Sequence, residues 1–187
     1  MPPKSTKPKA GQLLVATPLL NDPNFKRGVI LLCEHNADGT FGFIINRRLE
    51  STILDVIPDF PIENVPLYLG GPVQTDTVYF LHTKGNLIEG SIDIGNGIYW
   101  GGNFEQLKLS IESNLITEND LRFFIGYSGW SPGQLKDELD EKSWVVTGNK
   151  YEYVFNNEPE LLWSDIAKDF GGEFSIAALF PENPSLN

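Results

Sequence analysis

The amino-acid sequence predicts an α+β fold, in which strands pair through tight hairpins and helices are interspersed, rather than a doubly wound parallel sheet. Two turns carry most of that inference. Asn36-Ala37-Asp38-Gly39 separates the apolar runs 28–35 and 40–46, and Gly95-Asn96-Gly97 separates the short runs 91–94 and 98–100. Residues of these types tolerate the positive φ that a two-residue hairpin demands. The third observation is a set of helix-start signals between the strands, Asn103 and Ser131-Pro132-Gly133-Gln134 among them.

Taken in order, residues 12–16 (QLLVA) form a short strand closed by Thr17-Pro18, and a Pro/Asn/Asp loop runs from Pro18 to Asn24. Residues 28–35 (GVILLCEH) are apolar on both alternating faces as far as Glu34, as a strand buried on both sides should be. Residues 40–46 return as its hairpin partner. Ser51 is placed to cap a short helix through Ile57, and a proline-spaced stretch then leads to a strand at 67–69 and the Gly70-Gly71-Pro72 turn. A strand at 77–82 and the Gly95-Asn96-Gly97 hairpin follow. Asn103 caps a helix to about Asn114, and Thr117 with Asp120 opens a turn before a strand at 121–127. The Ser131 box opens a helix to about Lys142, strands are expected at 143–147 and 151–155, and a last helix runs from Pro159 to Phe170, stopping at Gly171-Gly172.

At 187 residues the chain is long enough for one domain with a real core. Residues 1–10, MPPKSTKPKA, read as a disordered basic tail, and residues 11–187 as a single domain. The tail lacks the apolar stretch of a secretory signal, and a lone Cys33 fits a reducing compartment; both point to the cytoplasm. No apolar run is long enough to span a bilayer, so no membrane partner is expected. The net charge is −11, and the tail's Lys4, Lys7 and Lys9 leave the remainder at about −14. Nucleic-acid affinity comes largely from cationic side chains neutralising phosphates. Lys26-Arg27 and Arg47-Arg48 are too few to offset such a body, so no nucleic-acid partner is expected.

The motifs that could carry chemistry are incomplete. Gly126-Tyr127-Ser128-Gly129-Trp130 sits where a strand meets a helix, but a nucleophile elbow needs glycine where Trp130 stands. Cys33, Glu34 and His35 adjoin on one strand, and strict alternation puts Cys33 and His35 on one face and Glu34 on the other. One cysteine and two histidines do not make a structural zinc site. Gly95, Gly97, Gly101 and Gly102 are misspaced for a dinucleotide loop, and the hairpin explains Gly97 better. No cofactor is expected.

Three blocks, ATPLLNDPNFKRGVILLCEHNADGTFGFIINR, LYLGGPVQTDTVYFLH and FFIGYSGWSPGQLKDELDEKSWVV, resemble the signature blocks of the AlgH/YqgE family of bacterial proteins, in matching order from about Gly11 to Phe180. The resemblance implies an α+β fold whose bent, largely antiparallel, branched sheet curls toward a barrel with helices packed outside. It implies no established activity, but a regulatory role carried by a transcriptional-regulator label. The matching positions include Pro18, Pro23, Gly70, Gly71, Pro72 and Gly129, which shape turns, and Asp22, Arg27, Glu34, His35, Asn46, His82, Trp130, Gln134 and Glu138. Ser128 departs from the family's usual alanine, and Arg48 from its proline.

The candidate pocket or signature residues are therefore Asp22, Arg27, Glu34, His35, Asn46, His82, Trp130 and Gln134, with Asp22 and Arg27 placed to pair across their loop. The leading expectation is a non-catalytic regulatory or interaction module acting through a protein partner. The alternative is a small-molecule-binding protein or weak enzyme with a pocket gathering His35, Asn46, His82 and Gln134.

Overall fold

Ten strands share one sheet in the computed structural model, which describes residues 7–155 and 158–180. They are β1 Leu13–Ala16, β2 Val29–Asn36, β3 Gly39–Ile44, β4 Arg48–Thr52, β5 Pro66–Leu69, β6 Val73–His82, β7 Ile92–Gly95, β8 Ile98–Trp100, β9 Leu121–Trp130 and β10 Trp144–Thr147. The main path runs β10-β1-β2-β3-β9-β6-β8-β7, and β5 with β4 branches from β9. Every pairing is antiparallel except β5 with β9. The sheet ends at β10 and β7 and does not close, so the barrel-like curl that the resemblance implied is not confirmed.

The five α-helices among the described residues are α1 Phe104–Glu112, α2 Gln134–Asp140, α3 Tyr151–Val154, α4 Leu162–Phe170 and α5 Gly172–Ala177. On one side of β1 and β2, Leu13, Val15, Leu31 and Cys33 pack with Trp163, Ile166 and Phe174 of α4 and α5. On the other, Leu14, Ile30 and Leu32 pack with Leu135 of α2 and with Trp130 and Trp144. β2 is thus buried on both faces, as its unbroken apolar run requires. A third cluster joins Leu67, Phe80 and Phe123 to Leu107 and Ile111 of α1.

Several local expectations hold. Gly95, Asn96 and Gly97 all take positive φ, and the Asn103 carboxamide accepts the Gln106 N–H at the start of α1. Others are corrected. No helix starts at Ser51: β4 runs on to Thr52, whose N–H and hydroxyl bind Asp55 and close a single 3-10 turn, Ile53–Asp55. Residues 151–155 are not a strand, because the Tyr151 and Phe155 rings stack 4.7 Å apart at helical spacing and Val154 turns into the core. Gly171 ends α4 with a φ of 70°, yet the chain re-enters a helix at once, since Phe174 has the Trp163 and Phe170 rings to pack on. The Ser131 box is only half formed: Gln134 accepts the Ser131 N–H, but α2 starts at Gln134, with Gly133 at its N-cap.

The tail expected at residues 1–10 falls largely on residues 1–6, outside those described. Its end is a turn, in which Lys9 N–H donates to the Gln12 side chain and Gln12 N–H to the Lys9 carbonyl.

Candidate functional site

A β-bulge decides where the Cys33-Glu34-His35 side chains go. Leu32 lies opposite Gly42 and Glu34 opposite Phe41, so Cys33 is the extra residue. Directly opposed residues share a face. Glu34 therefore joins Phe41 on the face of Cys33 and Phe43, while His35 joins Thr40 on the other face, its Nδ1 2.7 Å from the Thr40 hydroxyl. Strict alternation predicted the reverse partition. The bulge inverts the phase, and bulges leave no reliable mark in sequence.

Beyond the bulge, the ends of β2, β3 and β9 frame a cleft of about 600 Å³. Glu34 and Trp130 line it, and with them Asp38, Phe41, Tyr127 and Gly129, which sequence reasoning missed as site residues. Phe41 lies opposite Gly129, and the Phe41 and Tyr127 rings pack against each other with centroids 5.0 Å apart; the Tyr127 ring covers Gly129, where a Cβ would lie 2.9 Å from it.

Behind the cleft, the indole N–H groups of Trp130 and Trp144 both donate to Glu138 Oε2, at 2.8 and 2.7 Å, and Gln134 donates to Glu138 Oε1. Phe25 stacks on Trp130 and meets Trp144 edge-on. Gln134 thus braces α2 and the Ser131 turn. The signal for this hub was two tryptophans in need of acceptors beside a helical carboxylate.

The remaining candidates lie elsewhere. Asp22 accepts the Asn24 N–H, and no ion pair joins it to Arg27 among the described residues. Arg27 instead lies 4.9 Å over the Trp163 ring and donates to the Ala177 carbonyl, tying the loop to α4 and α5. Asn46 accepts Val29 N–H and donates to the Arg27 carbonyl. Arg27 and Asn46 border a second cleft of about 500 Å³ with Lys26 and Arg47, and the Arg47 guanidinium donates to the carbonyls of Pro23 and Lys26. Arg48 lies apart from this cluster, at a third hollow beside Tyr68. His82 borders neither of the two larger clefts. His35, Asn46, His82 and Gln134 therefore do not converge on one cavity.

A family model described as AlgH-like matches residues 13–175. The chain belongs to the AlgH-like family. A UPF0301 protein of Chlorobaculum parvum is 45% identical over 179 residues, 96% of each chain, and one of Cytophaga hutchinsonii is 38% identical over 95% of this chain and 98% of its own. The solution structure of the AlgH protein from Pseudomonas aeruginosa superposes with a TM-score of 0.73 at 28% identity, covering 96% of this chain and 99% of that one. A crystal structure from Corynebacterium diphtheriae reaches a TM-score of 0.78 at 24% identity over 95% of both chains, which speaks for the fold alone.

In this AlgH-like chain Ser128, Cys33 and His82 are buried and committed to structure. The Ser128 hydroxyl is fully buried and donates to the Gly70 carbonyl. Cys33 is 1% exposed, and burial, with a smaller contribution from Glu34, raises its thiol pKa well above the ordinary value. Cys33→Ala should cost about 1–2 kcal/mol, the usual size of a small core truncation. Cys33→Ser should cost more, because it buries a hydroxyl without an assured partner. Denaturant titration checks both, and native Cys33 should alkylate slowly; a rate like that of an activated thiol contradicts this placement. Among the described residues no three of His, Cys, Asp and Glu gather to hold a metal ion, and no helix is long and apolar enough to cross a membrane.

His82 is sealed in. Its Nδ1 accepts the Lys84 N–H, so Nε2 carries the proton and faces the Gly101 carbonyl and the Ser91 hydroxyl. Burial lowers its pKa below the ordinary 6.5, and the Gly101 hydrogen bond opposes this only in part. As pH falls below 6.5 the unfolded chain takes up a proton that the native state refuses, so stability falls until the folded pKa is passed. The slope should be at most about 1.4 kcal/mol per pH unit. Urea denaturation from pH 7.5 to 5 should show this fall, and His82→Gln should flatten it; parallel profiles for the two proteins would contradict the sealed, neutral ring.

Proposed function

We propose that this AlgH-like protein is a non-catalytic cytoplasmic binding module with a regulatory role, and that it engages a protein partner through the Glu34–Trp130 cleft. The observation that carries this reading is the cleft itself. Two of the eight candidate residues border it, its Phe41 and Tyr127 rings are half-buried, and the Glu138 hub holds one wall rigid. The commitment of Cys33, Ser128 and His82 to the interior supports binding over catalysis. In this reading residues 11–187 act as one domain and residues 1–10 as a basic arm. Any effect on gene expression is exerted through the partner, because a chain of net charge −11 is repelled by phosphates at long range.

A photo-crosslinking residue at position 38 should capture the partner in cells, and Gly129→Leu, whose side chain must push the Tyr127 ring out of the cleft wall, should abolish that capture. Capture that persists unchanged in the Gly129→Leu variant sinks the cleft as the site. Tight, sequence-selective DNA binding at physiological salt, read by fluorescence titration, sinks the indirect mode of action.

A further inference from the structure

The Glu34–Trp130 cleft has a one-sided chemistry. Glu34 and Asp38 line it, no cationic side chain borders it, and the paired Phe41 and Tyr127 rings form part of its wall. Among the described residues neither carboxylate takes part in an ion pair; those pairs join Lys84 to Asp120, Lys108 to Glu105, Lys136 to Asp140 and Lys168 to Asp165. Carboxylates and aromatic rings lining one cleft form an environment suited to a cation, since the negative face of a ring and a carboxylate act in the same sense. The two rings belong to a larger set: Tyr79 and Trp100 lie 6.2 and 5.0 Å from Phe41, so the wall is braced from behind.

We propose that the cleft recognises a lysine or arginine side chain of a basic protein segment. The cation sits between Glu34 and Asp38, and its aliphatic stem lies along the wall that the Phe41 and Tyr127 rings form together. This rests on the reading of the cleft as the interaction site and adds the chemistry of what enters it. About 600 Å³ is more than one side chain fills, so neighbouring residues of the segment are accommodated too. The net charge of −11 steers such a segment toward the protein and repels an acidic one.

The test is an amide NMR titration of the full-length protein with three probes: the peptide acetyl-GRGKGRG-amide, its counterpart with citrulline for arginine and acetyl-lysine for lysine, and spermidine. The basic peptide should shift resonances at Glu34, at residues 38–41 and at residues 127–130. The neutral peptide should bind at least about tenfold more weakly, as expected when a cation–π contact and an ion pair are lost. The double variant Glu34→Gln, Asp38→Asn, whose carboxamides preserve size, should weaken the basic peptide similarly with unchanged thermal stability. Equal binding of both peptides at the cleft overturns the cation while leaving the cleft as the interaction site. Shifts confined to another surface, or none up to about 10 mM peptide, overturn the proposal outright. Spermidine binding as tightly as the peptide overturns the protein segment as the source of the cation.

Discussion

Gly70→Ala is expected to destabilise the protein by about 3 kcal/mol or more, beyond the usual 1–3 kcal/mol of an overpacked core. A methyl at Gly70 would lie 2.3 Å from the Gly126 carbonyl oxygen and 2.9 Å from the Phe43 ring. The obstacle is backbone, which cannot swing aside as a side-chain tip can. Gly70 sits where three strands meet: its N–H donates to the Ile125 carbonyl, and its own carbonyl accepts from Ile44 N–H and the Ser128 hydroxyl. Displacing it strains β9 and β3 together. Gly71→Ala should be comparable, its Cβ falling 2.2 Å from the Tyr127 carbonyl group. Gly148→Ala, with nothing within 4 Å, is the control and should change stability by less than about 0.5 kcal/mol. Urea denaturation of the three variants decides it, and a Gly70→Ala cost near that of Gly148→Ala would show that the branch point yields.

Glu138→Ala is the second large effect. Trp130 and Trp144 are 5% and 4% exposed, and both indole N–H groups depend on one carboxylate oxygen. Removing it strands two donors, each costing about 1–3 kcal/mol if fully desolvated. Because Glu138 is itself only partly buried, water can reach part of the gap, and a total of about 2–4 kcal/mol is expected. Glu138→Gln keeps an acceptor oxygen and should lose roughly half as much, the difference being the charge assistance. Tryptophan fluorescence should shift with the Ala variant, because both rings change surroundings. A loss below about 0.5 kcal/mol for Glu138→Ala would mean that ring packing with Phe25, rather than the shared acceptor, holds the hub.

Both effects come from residues whose chemistry was visible and whose partners were not. Gly70 reads as a turn glycine and turns out to be a crossing point; Glu138 is in sequence only one of the positions that match the family and turns out to receive two indoles. The hairpins at Asn36 and Gly95 were legible because turn chemistry is local, and the two-sided burial of β2 because an apolar run leaves no solvent face. The strand that became α3 was not, since Tyr-Glu-Tyr-Val-Phe satisfies a period of two as well as a helical turn. The family was legible too, because three long blocks keep their order.

By itself the sequence determined the class of fold, the buried strands, the acidity of the chain and the residue types available for binding, all properties of local pattern or composition. Only the tertiary structure decided which of those residues meet. One bulged residue at Cys33 moves Glu34 onto the face of Phe41 and His35 away from it, and the pairing of β3 with β9 brings Tyr127 and Gly129 to the same cleft. His82 and Asn46, equal candidates in sequence, become interior hydrogen-bonding groups. The physical reason is that face and partner depend on register, and register is set by long-range pairing and packing that no short window of sequence contains.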